Sequence, residues 1–194
     1  MLRRNVLSSA WPAGMIAVLL VVLSVLGAAP KKKSGGGASA ASKVKRGEYL
    51  TTIMSCVDCH TPGAFWGAPD FSRHLSGSEM GWKGPWGVTY GRNLTPDKAT
   101  GIGNYTEDDI VKTLRTGVRP NGTGLNPPMS WQNYVHLTDE DAYAIAAYLK
   151  SLPPVKHQVP DRLIAGQPVA GSIIEIPPPS DWDGPREATS VEKK

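Results

Sequence analysis

The chain has 194 residues and a formal charge of +4, and that charge is concentrated at one end. Arg3, Arg4, Lys31, Lys32 and Lys33 flank a single uncharged segment; from Ser34 onward 16 basic residues face 17 acidic ones, leaving no basic face for nucleic acid. Its only two cysteines, Cys56 and Cys59, exclude a disulfide-stapled fold and a four-thiolate zinc or iron–sulfur site.

Residues 11–30 carry no charged side chain, and Met15 to Ala29 is almost wholly Ala, Val, Leu and Ile. Such a run is a secretory signal or a membrane anchor, since about 20 apolar residues suffice to span a bilayer. Gly27-Ala28-Ala29 offers a cleavage site of small residues, but Pro30 follows it directly and its fixed backbone hinders processing. The expected reading of residues 1–33 is therefore a retained anchor, with a cleaved signal as the alternative. Both carry the rest of the chain out of the cytoplasm.

Ser34 to Ser42 reads SGGGASAAS, a flexible tether, and the folded domain is expected over 43–154. Leu50, Ile53 and Val57 recur at helical spacing, which predicts a first helix from about Val44 to Met54 that delivers Cys56 at its end. Thr61 to Asn104 is long, rich in Gly, Pro and Trp, and without periodicity; a loop of that length belongs in a compact domain when it wraps something. Thr106 before Glu107-Asp108-Asp109, and Thr138 before Asp139-Glu140-Asp141, are N-caps with acidic first turns and predict two further helices. Gly117 ends the first, and Pro153-Pro154 the second. Residues 155–194 form a proline-rich arm, extended on the domain or loose in solvent, with Ile173, Ile174 and Ile176 as one short packing segment.

Cys56-Val57-Asp58-Cys59-His60 is the pattern of c-type haem attachment. Two thiols separated by two residues reach the two vinyl groups on one porphyrin edge, and the adjacent His60 turns its imidazole to the iron. A thioredoxin-like dithiol needs strand–helix alternation around it, which is missing, and a zinc site needs more ligands than these three. His74, His136 and His157 stand in loop-like surroundings as surface residues. For the opposite face of the iron the candidates are a second histidine, Met54, Met80 and Met129. Met54 is too close to the motif to reach round the ring. Met80 lies in a Gly-rich stretch beside Trp82. Met129, between Asn126-Pro127-Pro128 and Ser130-Trp131, sits on a loop stiffened to present a thioether, although any Met also serves as core filler. Arg92, Asn93, Trp82 and Trp86 are candidates to hold the haem propionates.

Together, Cys56–His60, Gly91-Arg92-Asn93-Leu94-Thr95-Pro96-Asp97, Thr100-Gly101-Ile102-Gly103, the helix start at Thr106 and Pro128-Met129-Ser130-Trp131 resemble class I cytochromes c. They are most similar to the haem domains of cytochrome subunits of membrane-bound alcohol and gluconate dehydrogenases, over about Lys43 to Pro154. The resemblance implies an all-α cytochrome c fold around one covalent haem c. It also implies His60 and Met129 as axial ligands, and a first and last helix crossing at Gly47 or Tyr49 against Tyr148. The family's Met is commonly followed by proline, where this chain has Ser130. Covalent attachment on the outer membrane face implies a periplasmic domain on an inner-membrane anchor, or a soluble periplasmic one. The expected function is single-electron transfer between a dehydrogenase donor and a cytochrome or oxidase acceptor. An open distal site would instead make the protein a haem enzyme or ligand sensor.

Overall fold

The structure is a computed structural model and describes residues 39–169 and 171–177. The anchor over 1–33, most of the tether and the end of the arm lie outside the described residues. No helix among the described residues is long and apolar enough to cross a membrane.

Helix α1 spans Ala40–Ile53 and begins inside the stretch read as tether. Ser39 explains the earlier start, because its hydroxyl accepts the Ser42 amide at 3.2 Å and Ala40-Ala41 favour the helix that follows. The last helix, α5 (Asp139–Ser151), is capped by Thr138, whose hydroxyl accepts the Asp141 amide at 3.1 Å. α1 and α5 cross where Gly47 meets Ala144 and Tyr148. A Cβ on Gly47 would strike the Ala144 carbonyl and lie 2.7 Å from Tyr148 Cβ. Tyr49 is exposed, so of the two residues expected at this crossing Gly47 is the one that makes it. Arg46 fastens the pair through Asp141 at 2.8 Å. Helix α3 (Glu107–Thr116) starts on a reciprocal cap between Thr106 and Asp109. It buries Ile110 and Val111 against Leu50, Leu75, Ile145 and Leu149, the centre of the core.

The all-α expectation needs correcting to a mostly helical domain with a small sheet. β1 (Gly81–Gly84) and β2 (Gly87–Tyr90) form an antiparallel hairpin about Pro85-Trp86, and β3 (Ile173–Glu175) joins β1 in parallel. Glycines and Pro85 stop a helix here, while Trp82, Val88, Thr89 and Tyr90 favour extended backbone. The described part of the arm is extended on the domain rather than loose. Val159 is buried, and Leu163 and Val88 exchange two backbone hydrogen bonds of 2.9 and 3.0 Å.

Candidate functional site

α1 gives way at Ser55, in the left-handed region at φ 56°, to the short helix α2 (Cys56–His60). Cys56 and Cys59, three residues apart on a helix, share one side, and His60 lies one turn beyond Cys56. Burial, and then the neighbouring Cys59, pushes the Cys56 thiol up to about 11; burial and Asp58 raise Cys59 as well. Both therefore stay protonated near neutrality. A dithiol oxidoreductase does the opposite and lowers its attacking thiol.

His60 is buried, and its Nδ1 donates to the Arg92 carbonyl at 2.7 Å. That bond fixes the tautomer and leaves the Nε2 lone pair free for a metal. Burial, with Arg119 adding to it, lowers the pKa of the imidazole and favours the neutral form that coordinates. Gly91 makes the approach possible: it lies against the Cys59 carbonyl, where any Cβ would collide.

The Met129 loop is fastened on both sides. Thr89 Oγ1 donates to the Pro127 carbonyl at 2.9 Å, and the Trp131 indole covers Gly117. Met129 itself is half-buried, just before the short helix α4 (Trp131–Tyr134). Burial raises the Tyr134 hydroxyl, with the Cys56 and Cys59 thiols adding to it. Met80 is a buried residue lining a cleft with Trp66 and Ser172, and Met54 packs on the core at the end of α1.

The sequence of residues 44–153 matches the cytochrome c family. The chain belongs to the cytochrome c family. It is 38% identical over 121 residues to the alcohol dehydrogenase (quinone) cytochrome c subunit of Gluconobacter oxydans, covering 61% of this chain and 24% of that one. It is 43% identical over 105 residues to the gluconate 2-dehydrogenase cytochrome c subunit of Pantoea cypripedii, 54% and 22% of the two chains. A third relative, the fructose dehydrogenase cytochrome subunit of Gluconobacter japonicus, is 37% identical over 123 residues, 60% and 24%. The chain spans about a quarter of the length of the curated relatives it matches. Membership of this family implies covalent haem c, and the Cys56–Cys59 pair fits the attachment motif.

The pocket residues fit such a group unequally. Trp86 fits best: its indole N–H is buried without a partner among the described residues, a donor that an acceptor group would satisfy. Trp82 is buried and packs edge-on to Phe65, ring centroids 4.8 Å apart, as an apolar wall. Arg92 spends one guanidinium N–H on the Pro160 carbonyl at 2.8 Å. Asn93 is engaged within the protein. Its amide donates to Val155 O at 2.8 Å and Thr100 Oγ1 at 3.1 Å, and accepts from the Thr95 amide at 2.9 Å. With those bonds it pins the loop to the segment after residue 153. Tyr134, Arg119 and Arg162 were not anticipated. The one available signal was at Arg119, which stands in a stretch from Gly117 to Trp131 with no acidic residue.

Proposed function

We propose that the haem is held by thioethers from Cys56 and Cys59, with His60 Nε2 and the Met129 sulfur as the two axial ligands of its iron. The observation that carries this reading is the 2.7 Å bond from His60 Nδ1 to the Arg92 carbonyl, which orients the ring and frees Nε2. The Met129 loop, fastened by Thr89 at Pro127 and by Trp131 over Gly117, supports the second ligand. When bound, the haem supplies a one-electron ferric–ferrous couple. Met129, a soft donor, favours the ferrous state and raises the potential. Trp82 would shield the group from water, and His60 and Met129, both taken up as ligands, would leave no position on the iron for a substrate.

The relatives' names point to a setting. We infer a donor dehydrogenase and a cytochrome or oxidase acceptor, with residues 1–33 anchoring the domain to the periplasmic face of the inner membrane. A mature chain beginning near Pro30 on N-terminal sequencing would replace the anchor with a soluble periplasmic form.

The ligand assignment is tested by absorption spectroscopy of Met129→Ala and Met80→Ala beside the unaltered protein. Met129→Ala is expected to lose the low-spin ferric spectrum and the methionine–iron charge-transfer band, while Met80→Ala keeps both. Survival of the band in Met129→Ala overturns the assignment. An unaltered ferric protein that is already high-spin overturns it in favour of an open distal site.

A further inference from the structure

The family match stops at residue 153, yet the segment that follows is built into the domain. Asn93 donates to Val155 O, the His157 amide donates to Thr100 Oγ1 at 3.0 Å, and His157 meets the Ser76 carbonyl at 2.9 Å. Val159 is 2% exposed, packed where Gly77 leaves room for it, and Leu163 is bridged to Val88. Between these anchors the chain crosses two of the pocket residues. Pro160 O accepts from Arg92 at 2.8 Å, and Arg162 donates to the Trp86 carbonyl at 2.7 Å.

This crossing gathers positive charge. Arg92 and Arg162 stand at its two ends, each held by a main-chain carbonyl; Arg119, whose guanidinium donates to Thr123 Oγ1 at 3.1 Å and to the Gly124 carbonyl at 3.0 Å, is held below its usual range by burial and then by both of them. Among the described residues the one carboxylate paired with any of these three guanidiniums is Asp161, 3.6 Å from Arg92 and 90% exposed. Like charges drawn together are unfavourable unless an anion joins them, and Trp86, whose carbonyl holds Arg162, buries an indole N–H that has no partner among the described residues. A haem brings two carboxylates.

We propose that residues 155–164 are a strap that completes the anionic edge of the haem site, with Arg162 joining Arg92 and the Trp86 N–H around the haem carboxylates. The proposal rests on the attachment at Cys56, Cys59 and His60 put forward above. In it Arg162 is a positioning residue. A fixed cation beside the carboxylates keeps them ionised and stabilises ferrous over ferric iron, because the reduced centre carries one positive charge fewer.

The test is spectroelectrochemical titration of the full chain across pH, with Arg162→Gln, Arg162→Lys and Trp86→Phe. Lys45→Gln, an exposed cation on α1, serves as control. Covalent haem is quantified first as the pyridine haemochrome. Arg162→Gln and Trp86→Phe are expected to lower the midpoint potential and to bring a pH-dependent step up into the neutral range. Arg162→Lys restores most of the unaltered curve, and Lys45→Gln leaves it in place. An Arg162→Gln curve superimposed on the unaltered one, with haem retained, overturns the strap alone; an unaltered chain without covalent haem overturns the attachment reading and the strap with it.

Discussion

His60 donates through Nδ1 to the carbonyl oxygen of Arg92 at 2.7 Å, across 32 residues of sequence. The same strip of chain touches the motif again one residue earlier, where Gly91 lies on the Cys59 carbonyl. The last turn of α2 is thus clamped by the segment that leaves β2. The orientation of the imidazole depends on a backbone atom, so it is set by how closely two stretches of main chain approach, and side-chain choice at position 92 matters little to it.

Gly91→Ala should therefore act on the site without changing any ligand. An added methyl would meet main chain on the Cys59 side, with His60 Cα only 3.5 Å away, and neither can swing aside as a side-chain tip would. The expected cost is about 3 kcal/mol, in the range of strained or overpacked backbone contacts, together with a lower yield of covalent haem. Thermal unfolding of the purified protein and its haem-to-protein ratio check this. A loss under about 1 kcal/mol with full haem loading would show that the clamp yields easily.

Acid should weaken the turn just beyond the motif. Asp70 caps the short 3₁₀ turn Phe71–Arg73: it accepts from the Ser72 hydroxyl at 2.6 Å and from Arg73 at 2.8 Å. The Ser72 hydroxyl first, then Arg73, pushes its carboxyl down to about 2 from an ordinary 3.8. Between those values the unfolded chain binds the proton and the folded one does not, so stability rises with pH there. The contribution is complete above about 4 and disappears as pH falls through about 2. Asp70→Asn should be less stable than the unaltered protein at neutral pH, and the gap should close across that window in denaturant titrations. A gap independent of pH would mean that Asp70 acts through shape rather than charge.

Local signals in the sequence were sufficient wherever the structure depends on local chemistry. Thr106 and Thr138 mark the starts of α3 and α5 because a cap needs only its own hydroxyl and the next turn. Ile53 misled for an equally local reason. The buried stripe of α1 runs Gly47, Leu50, Thr51 and continues into half-buried Met54 just past the helix end; because Gly47 offers no side chain, the apolar pattern falls on Ile53, which is exposed. What stayed hidden depends on distant partners. β1 pairs with β3 some ninety residues away (Gly81 with Ile173), and no local pattern announces such a pairing. Arg162 reaches Trp86 across 76 residues, so its place at the site appears only once the arm has folded back.

Asn93 joins these two kinds of information and yields the last prediction. It stands in a motif legible from the sequence, but its amide serves the strap: Nδ2 bonds Val155 O, while Oδ1 takes the Thr95 amide and, at 2.7 Å, the Thr95 hydroxyl. Asn93→Ala leaves the Thr95 amide buried and unpaired and leaves Val155 held by the Thr95 hydroxyl alone, at a cost of about 2–3 kcal/mol. Because the loss falls where the strap begins, it should show as local opening before global unfolding. Lys156 and Arg162, both exposed trypsin sites on the strap, report that opening directly. Limited trypsin digestion should cleave there at least roughly tenfold faster in Asn93→Ala, since each 1.4 kcal/mol of lost closure is a factor of ten in open population. Unchanged cleavage together with a shifted pH profile of the potential would return Asn93 to the propionates. Faster cleavage accompanied by the lowered potential of Arg162→Gln would tie the strap's closure to the charge it delivers.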